Sequence, residues 1–327
     1  MIDLPPASPG PGNILLRVEA VAICGSDLHI YNTGSSGGEP LTEPLVPGHE
    51  VGAVVERGDE SLPVGTRVAV EPTISCMTCE FCMRGDPNLC PRHRFLGLPG
   101  TPGAMQEMIA HPRRLVVPVP PSMPPTVVPL LEPLAVAVHV ADLTHARVDR
   151  TVAVFGLGAI GLMVLQVMRL MGCRVVGCDP VPERVRMAER FGPEAVFNTQ
   201  GPPSVETVRR WTNGRGVDVA IEVAGPNQAV RDAVDAAAPG ARVLIVGIQP
   251  DDQIAFRAVT ARRKGLTIVM VRRSRNTLHR AIELYRTGRV QLDPLATHAF
   301  PLERAAEAFA LAAAYADGAI RTILRPS

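Results

Sequence analysis

Thr151-Val-Ala-Val-Phe155-Gly156-Leu-Gly158-Ala-Ile-Gly161 decides the architecture of the second half of this chain. A short, wholly apolar run ends on a Gly-x-Gly-x-x-Gly turn, and an apolar stretch at helical spacing follows. Such a run is a strand buried on both faces of a parallel sheet. The next expected strand, 174–178, leads directly into Asp179. Strand, glycine turn, helix and distal acid together form a dinucleotide-binding pattern. Gly156 permits the tight turn, Gly158 lets the backbone approach a pyrophosphate, and Gly161 lets helix and strand pack closely. Amides near Ala159 and Ile160, at the helix N-terminus, face the anion. Asp179 accepts hydrogen bonds from the adenosine ribose hydroxyls. Pro180 follows it rather than an arginine, and a 2′-phosphate would meet a carboxylate, so the reading is NAD rather than NADP. Arg184, on the next helix, is grouped with the cofactor-binding residues. A helix-capping glycine turn without a ligand is the alternative.

Outward from this point the texture repeats. Strands are expected near 174–178, 195–198, 218–223, 242–247 and 266–271, and helices near 159–171, 181–191, 204–212, 227–238 and 257–263. Repeated strand–helix units imply right-handed crossovers and a doubly wound parallel sheet, an α/β fold. Leu130 to Leu143 precedes it as an apolar helix. Helices over Thr277–Thr287 and Glu303–Ala316 and a strand over Ile320–Leu324 follow it.

The first half reads differently. Residues 1–12 are a Pro- and Gly-rich connector. Asn13 to Ala22 alternates as a half-buried strand. Cys24-Gly-Ser26-Asp-Leu-His29 reads as a loop, and Thr33 to Gly38 is rich in Gly and Ser. Further strands are expected over Val51–Glu56, Thr66–Val70, Ala104–Ala110 and Arg114–Val119. The expected division is a β-rich domain over 1–133 and 272–327 and a parallel-sheet domain over 134–271.

Four of the seven cysteines, Cys76, Cys79, Cys82 and Cys90, lie at spacings of two, two and seven intervening residues. Thiolates so spaced can converge on a tetrahedral zinc, with Gly85 and Pro87 turning the loop. Such a closed site is structural. Disulfides are the bland alternative. An iron–sulfur cluster stays open because Pro91 follows Cys90, although the seven-residue gap does not match the bacterial cluster run. Cys24, His49 and Glu50 have no evident structural task. Singly, each reads as a packed or satisfied side chain. Together, cysteine, histidine and carboxylate or water form a catalytic zinc pattern with an open position.

Composition narrows the function. The net charge is +1, which gives no field for nucleic acid, and no run of 18 apolar residues appears, so no membrane span is expected. No export signal is visible at the N-terminus. Seven cysteines without such a signal point to a reducing cytoplasm.

With Cys24-Gly-Ser-Asp-Leu-His29, Pro47-Gly-His49-Glu50, the four-cysteine lobe, Glu132-Pro-Leu-Ala-Val and the glycine turn in this order, the chain resembles the zinc-dependent medium-chain dehydrogenases over nearly its whole length. The Glu132-Pro-Leu form resembles the sorbitol (polyol) and butanediol dehydrogenase branch. The resemblance implies a GroES-like catalytic domain beside a Rossmann domain, with two Zn2+ ions per chain. It implies that Cys24 and His49 bind the catalytic zinc. Glu50 is a third direct ligand in some members and stands back in others, and Glu132 approaches the metal directly or through its water. Ser26 takes the proton of the alcohol and His29 passes it towards solvent. The bland readings are a loop hydrogen bond for Ser26 and a helix N-terminal charge for Glu132.

The resemblance also places Arg273 towards substrate or cofactor. Ser274 stands where polyol enzymes commonly have an aromatic residue. Arg272 and Arg275 add charge that would suit an acid-bearing substrate, or they form a solvated basic turn. The implied activity is NAD-dependent oxidation of a secondary alcohol, a polyol, vicinal diol or 3-hydroxy acid. The alternatives are an L-threonine 3-dehydrogenase-type enzyme and a non-catalytic, zinc-stabilised dinucleotide-binding protein. The apolar Leu266–Val271 run reads as an edge strand that pairs with a second subunit, giving a homodimer or homotetramer. Members of the family carry additional residues before the cysteine that matches Cys24, as an opening strand and hairpin. A start assigned too late is therefore expected, with a version extended upstream in frame being the more stable.

Overall fold

The computed structural model describes residues 7–36, 38–200, 204–250 and 252–326. The opening of the connector, 1–6, lies outside them, as does Gly37 in the Gly- and Ser-rich stretch. The chain divides into two compact units, Met1–Ala135 with Arg275–Ser327, and Val136–Ser274.

The continuous unit is a six-stranded, wholly parallel sheet. Its strand order is Ala195–Asn198, Arg174–Asp179, Thr151–Phe155, Val217–Glu222, Ala237–Ile245, Thr267–Met270. The winding reverses between Thr151–Phe155 and Val217–Glu222, the crevice where such sheets bind ligands. Every residue of Thr151–Phe155 is buried, as an apolar central strand requires. The helix Ala159–Leu170 covers it with Leu162, Met163, Val164, Leu165 and Met168, all fully buried.

The glycines between strand and helix leave no slack. Gly156 sits at φ 102°, in the left-handed region. A Cβ on Gly161 would lie 2.0 Å from the Gly156 carbonyl oxygen. Thr267–Met270 is an edge strand, paired only with Ala237–Ile245 among the described residues, and Met270 is exposed.

The discontinuous unit is built on Asn13–Ala22, which pairs antiparallel with Glu50–Arg57, Met108–Pro112 and Arg321–Arg325. Arg67–Val70 and Val116–Pro118 extend the sheet on one side. On the other, Ala296–Pro301 pairs parallel with Arg321–Arg325. Leu16, Val18, Val51, Ala53, Val55, Val68 and Leu324 meet in the core of this unit.

Several expectations need correction. Cys24–His29 is not a loop: Gly25–Thr33 is a helix, begun where Asp27 accepts the Cys24 N–H at 2.9 Å and ended by left-handed Gly34. Ala104–Ala110 is not one strand, and only Met108–Pro112 is extended. Ahead of it, Gly103, Ala104 and Met105 donate to the carbonyls of Val46, Gly48 and Pro47 and form a backbone clasp. Arg114–Val119 opens as a 3-10 turn before Val116–Pro118. Glu303 belongs to a 3-10 turn, and the helix proper is Ala305–Ala313. The strand Ala296–Pro301 was not anticipated, because its small and polar residues carry little alternation.

Gly161→Ala is expected to lower the melting temperature by about 3–10 °C, since its methyl group meets a carbonyl that the turn fixes. Circular dichroism melts of both forms check this.

Candidate active site

In the parallel-sheet unit the glycine turn and Asp179 are brought together. Asp179 is buried, and its Oδ2 accepts the Leu157 N–H at 2.7 Å while Oδ1 accepts the Val181 N–H at 2.8 Å. The acid at the end of one strand thus fixes the turn that ends its neighbour. Arg184 Nη1 lies 3.7 Å from Asp179 Oδ2. Gly158 caps the helix Ala159–Leu170, and a Cβ there would meet nothing within 4 Å. Of the three glycines, one makes the turn, one leaves open space before a helix N-terminus, and one packs tightly. That arrangement fits a bound pyrophosphate.

In the β-rich unit the ligand atoms of Cys24, His49 and Glu50 lie within 4.8 Å of one another. Cys24 precedes the helix Gly25–Thr33, and His49 and Glu50 stand where the strand Glu50–Arg57 begins. His49 and Glu50 are buried, and Glu132, in the first turn of the helix Leu131–Thr144, is buried with them. Burial pushes the Glu132 carboxyl up to about 8, with Cys24 and Glu71 adding to the effect against His49. Burial opposes the Cys24 thiolate, but His49 and Arg321 outweigh it and bring the thiol down to about 6. Burial disfavours a charged His49, yet Asp27 and Cys24 hold its imidazolium well above the usual range.

Glu50 is the most constrained member. Its Oε1 accepts from Arg321 Nη2 at 2.7 Å, while Oε2 is buried with no hydrogen-bond partner. A thiol, an imidazole and a carboxyl with an orphaned oxygen converge here, with Glu132 buried outside the 4.8 Å group, and this donor set suits a divalent cation of borderline softness such as zinc.

Two residues that hold this set escaped the sequence reading. Asp27 lies 3.6 Å from His49 Nδ1, and its carboxylate accepts the N–H groups of Cys24 at 2.9 Å and Gly48 at 3.3 Å. A carboxylate in this position can orient a histidine for a metal. Its place three residues after Cys24 was the available signal. Arg321 had none, being 271 residues from the Glu50 it pairs with.

The four lobe cysteines also converge, their ligand atoms within 4.8 Å of one another. All seven cysteines are free of disulfides. The Sγ atoms of Cys79 and Cys82 are 3.5 Å apart, and those of Cys76 and Cys82 are 4.0 Å apart. A tetrahedron with zinc–sulfur arms of about 2.3 Å has edges of roughly 3.8 Å, so the thiolates fit zinc. Arg92 Nη2 lies 3.3 Å from Cys76 Sγ and donates to Thr78 Oγ1, a contact not foreseen.

Ser26 and His29 sit three residues apart on the helix after Cys24, hence on one face of it, and both are half-buried. Arg273 is placed in the other unit at φ 53°, and Ser274 beside it is buried. Arg275 is not loose charge for a substrate: its Nη1 donates to Asp86 Oδ1 at 2.8 Å, and Arg84 holds the other oxygen at 2.6 Å.

Comparison with known proteins agrees with this layout. Residues 10–121 match the alcohol dehydrogenase GroES-like domain, and residues 159–287 match the zinc-binding dehydrogenase family. The sorbitol dehydrogenase of Bacillus subtilis (strain 168) is 32% identical over 96% of this chain and 90% of that protein. An L-threonine 3-dehydrogenase of Symbiobacterium thermophilum is 34% identical over 92% of this chain and 88% of that protein. A solved structure from Sinorhizobium meliloti 1021, described as a zinc-binding dehydrogenase bound to NADP, superposes with a TM-score of 0.89 at 29% identity. It covers 98% of this chain and 93% of that one. Both halves of the molecule thus match in order and at nearly full length, and with them a working set of zinc and a nicotinamide cofactor: the chain belongs to the zinc-dependent medium-chain dehydrogenases, in the branch of the polyol dehydrogenases.

Proposed function

We propose that this enzyme oxidises a secondary alcohol, a polyol or vicinal diol, to the ketone, with NAD as acceptor and two zinc ions per chain. The carrying observation is the convergence of half-buried Cys24 with buried His49 and Glu50, where one carboxylate oxygen of Glu50 is left without a hydrogen-bond partner. In this reading Cys24, His49 and Glu50 would hold the catalytic metal, with Glu132 approaching it directly or through its water and one position left for substrate. Cys76, Cys79, Cys82 and Cys90 hold the structural metal. When bound, zinc would supply Lewis acidity at the substrate hydroxyl and the nicotinamide would supply the hydride acceptor.

The chain's own residues arrange the rest. Asp27 keeps His49 in one orientation and fixes the Cys24 and Gly48 backbone around it. Arg321 restrains one oxygen of Glu50 and leaves the other without a hydrogen-bond partner. Ser26 accepts the proton of the substrate hydroxyl, and His29, on the same helix face, carries it towards solvent. The glycine turn, Ala159, Ile160, Asp179 and Arg184 bind the dinucleotide, and Arg273 is assigned to substrate. The free cysteines fit a cytoplasmic protein, and no described helix is long and apolar enough to cross a membrane.

A second reading is supported by the 34% identity to a protein named L-threonine 3-dehydrogenase. One experiment separates the two: NADH absorbance on incubation with polyols, vicinal diols, 3-hydroxy acids and L-threonine. Turnover of polyols or diols above the others supports the proposal, and turnover of L-threonine alone replaces it.

Elemental analysis is expected to give close to two zinc ions per chain, falling to one in Cys24→Ala. A value of one in the wild type that survives this substitution refutes the catalytic metal.

The ratio of kcat/KM for NAD over NADP is expected to exceed about 10 and to fall by at least about tenfold in Asp179→Ser, because the carboxylate repels a 2′-phosphate. A wild-type preference for NADP would overturn the ribose argument.

The exposed edge Thr267–Met270 leads us to propose a homodimer or homotetramer. Light scattering at micromolar concentration checks this, a monomer being the contrary result.

A further inference from the structure

Glu222 ends the strand Val217–Glu222, paired with Phe155 on one side and Ile245 on the other. It therefore stands where the winding of the sheet reverses. It is 0% exposed. Its Oε1 accepts the N–H of Ala224 at 2.7 Å and that of Gly225 at 2.6 Å. Its main-chain carbonyl accepts the N–H of Val246 at 2.9 Å and that of Gly247 at 3.4 Å. Its Oε2 is buried with no hydrogen-bond partner. Burial pushes the carboxyl up, against the amides of Gly225, Ala224 and Gly247.

The backbone around it is packed too tightly for side chains. A Cβ on Gly156 would lie 2.8 Å from Ala224 N, and one on Gly225 would lie 2.6 Å from the Ile248 carbonyl oxygen. A Cβ on Gly247 would lie 2.4 Å from Gly225 N and 2.9 Å from Glu222 Oε1. The turns that leave three neighbouring strands thus rest on one another, and Glu222 is their common fixing point. An apolar residue would fill this place at less desolvation cost. It could not accept two amides at once, and each would then be buried unpaired.

We infer that Glu222 is a positioning residue of the dinucleotide site. Its carboxyl fixes the turn after Glu222, which packs against the glycine turn on one side and the turn after Ile245 on the other, so that the crevice at the switch point is formed before the cofactor arrives. Without the clamp, the cofactor must order these turns as it binds, and its affinity falls. The inference rests on the reading that the glycine turn holds the cofactor.

The test is fluorescence titration of NADH into zinc-loaded wild type, E222Q, E222A and E222D, with melting temperatures and NAD kinetics for each. Glutamine keeps the acceptor oxygen, so E222Q is expected to bind within about twofold of wild type. Loss of the paired amides in E222A is expected to weaken NADH by at least about tenfold. The KM for NAD should rise with it, while kcat at saturating NAD changes by less than about twofold. E222D, one methylene short of the amides, is expected to fall between and serves if E222A does not fold. A lower melting temperature with NADH affinity unchanged in E222A or E222D means a purely structural role and overturns the inference. So does an E222Q as weak as E222A, because the charge would then matter and not the acceptor. A wild type that binds neither NADH nor NADPH overturns the cofactor reading itself and the inference with it. Tight wild-type binding that no Glu222 variant alters overturns the inference alone.

Discussion

A guanidinium and a carboxylate that meet out of water hold the last strand of the β-rich unit to the group of Cys24, His49 and Glu50. Arg321 reaches Glu50 from a strand on the far side of Asn13–Ala22, and its second amino group donates to the Ile23 carbonyl at 3.1 Å. Neither charge is tolerable alone there. Removing one partner of such a pair typically costs about 3–5 kcal/mol, because the other stays buried without compensation. The pair therefore fixes the last strand of the sheet, the segment before Cys24 and the direction of Glu50 in one arrangement. The surrounding burial also raises the Glu132 carboxyl.

The same device recurs at shorter range. Asp27 spans the amides of Cys24 and Gly48, Asp179 those of Leu157 and Val181, and Glu222 those of Ala224 and Gly225. In each case a buried carboxyl accepts two backbone N–H groups and so fixes the course of the chain around it. Charged or hydrogen-bonded acceptors of this kind are among the stronger local restraints in a protein. They explain how loops rich in glycine can still present a defined site.

Much of this was legible in the residues. Thr151–Phe155, the glycine turn and Asp179 spell out a parallel sheet because apolar strands and their punctuation are local signals. Cys76, Cys79, Cys82 and Cys90 converge as their spacing predicts, since one short loop carries all four thiols. The helix Gly25–Thr33 was misread as a loop because its polar, glycine-led start hides a cap that depends on Asp27. The clasp of Gly103, Ala104 and Met105 on residues 46–48 left no periodic trace. Arg321 was invisible for a deeper reason: its partner is chosen by sheet topology, and nothing around residue 321 records that choice.

The chain leaves the β-rich unit after Ala135 and returns to it only at Arg275. The order of synthesis then matters. The parallel-sheet unit is one uninterrupted stretch and can close as soon as its last strand emerges, as can the four-cysteine lobe within its loop. The sheet of the β-rich unit must wait for Arg321–Arg325 to dock against a strand made some three hundred residues earlier. Until that moment Cys24, His49 and Glu50 stand in a half-built sheet without their arginine. Synthesis thus completes the parallel-sheet unit and the four-cysteine lobe first, and the surroundings of Cys24, His49 and Glu50 last, when Arg321 docks.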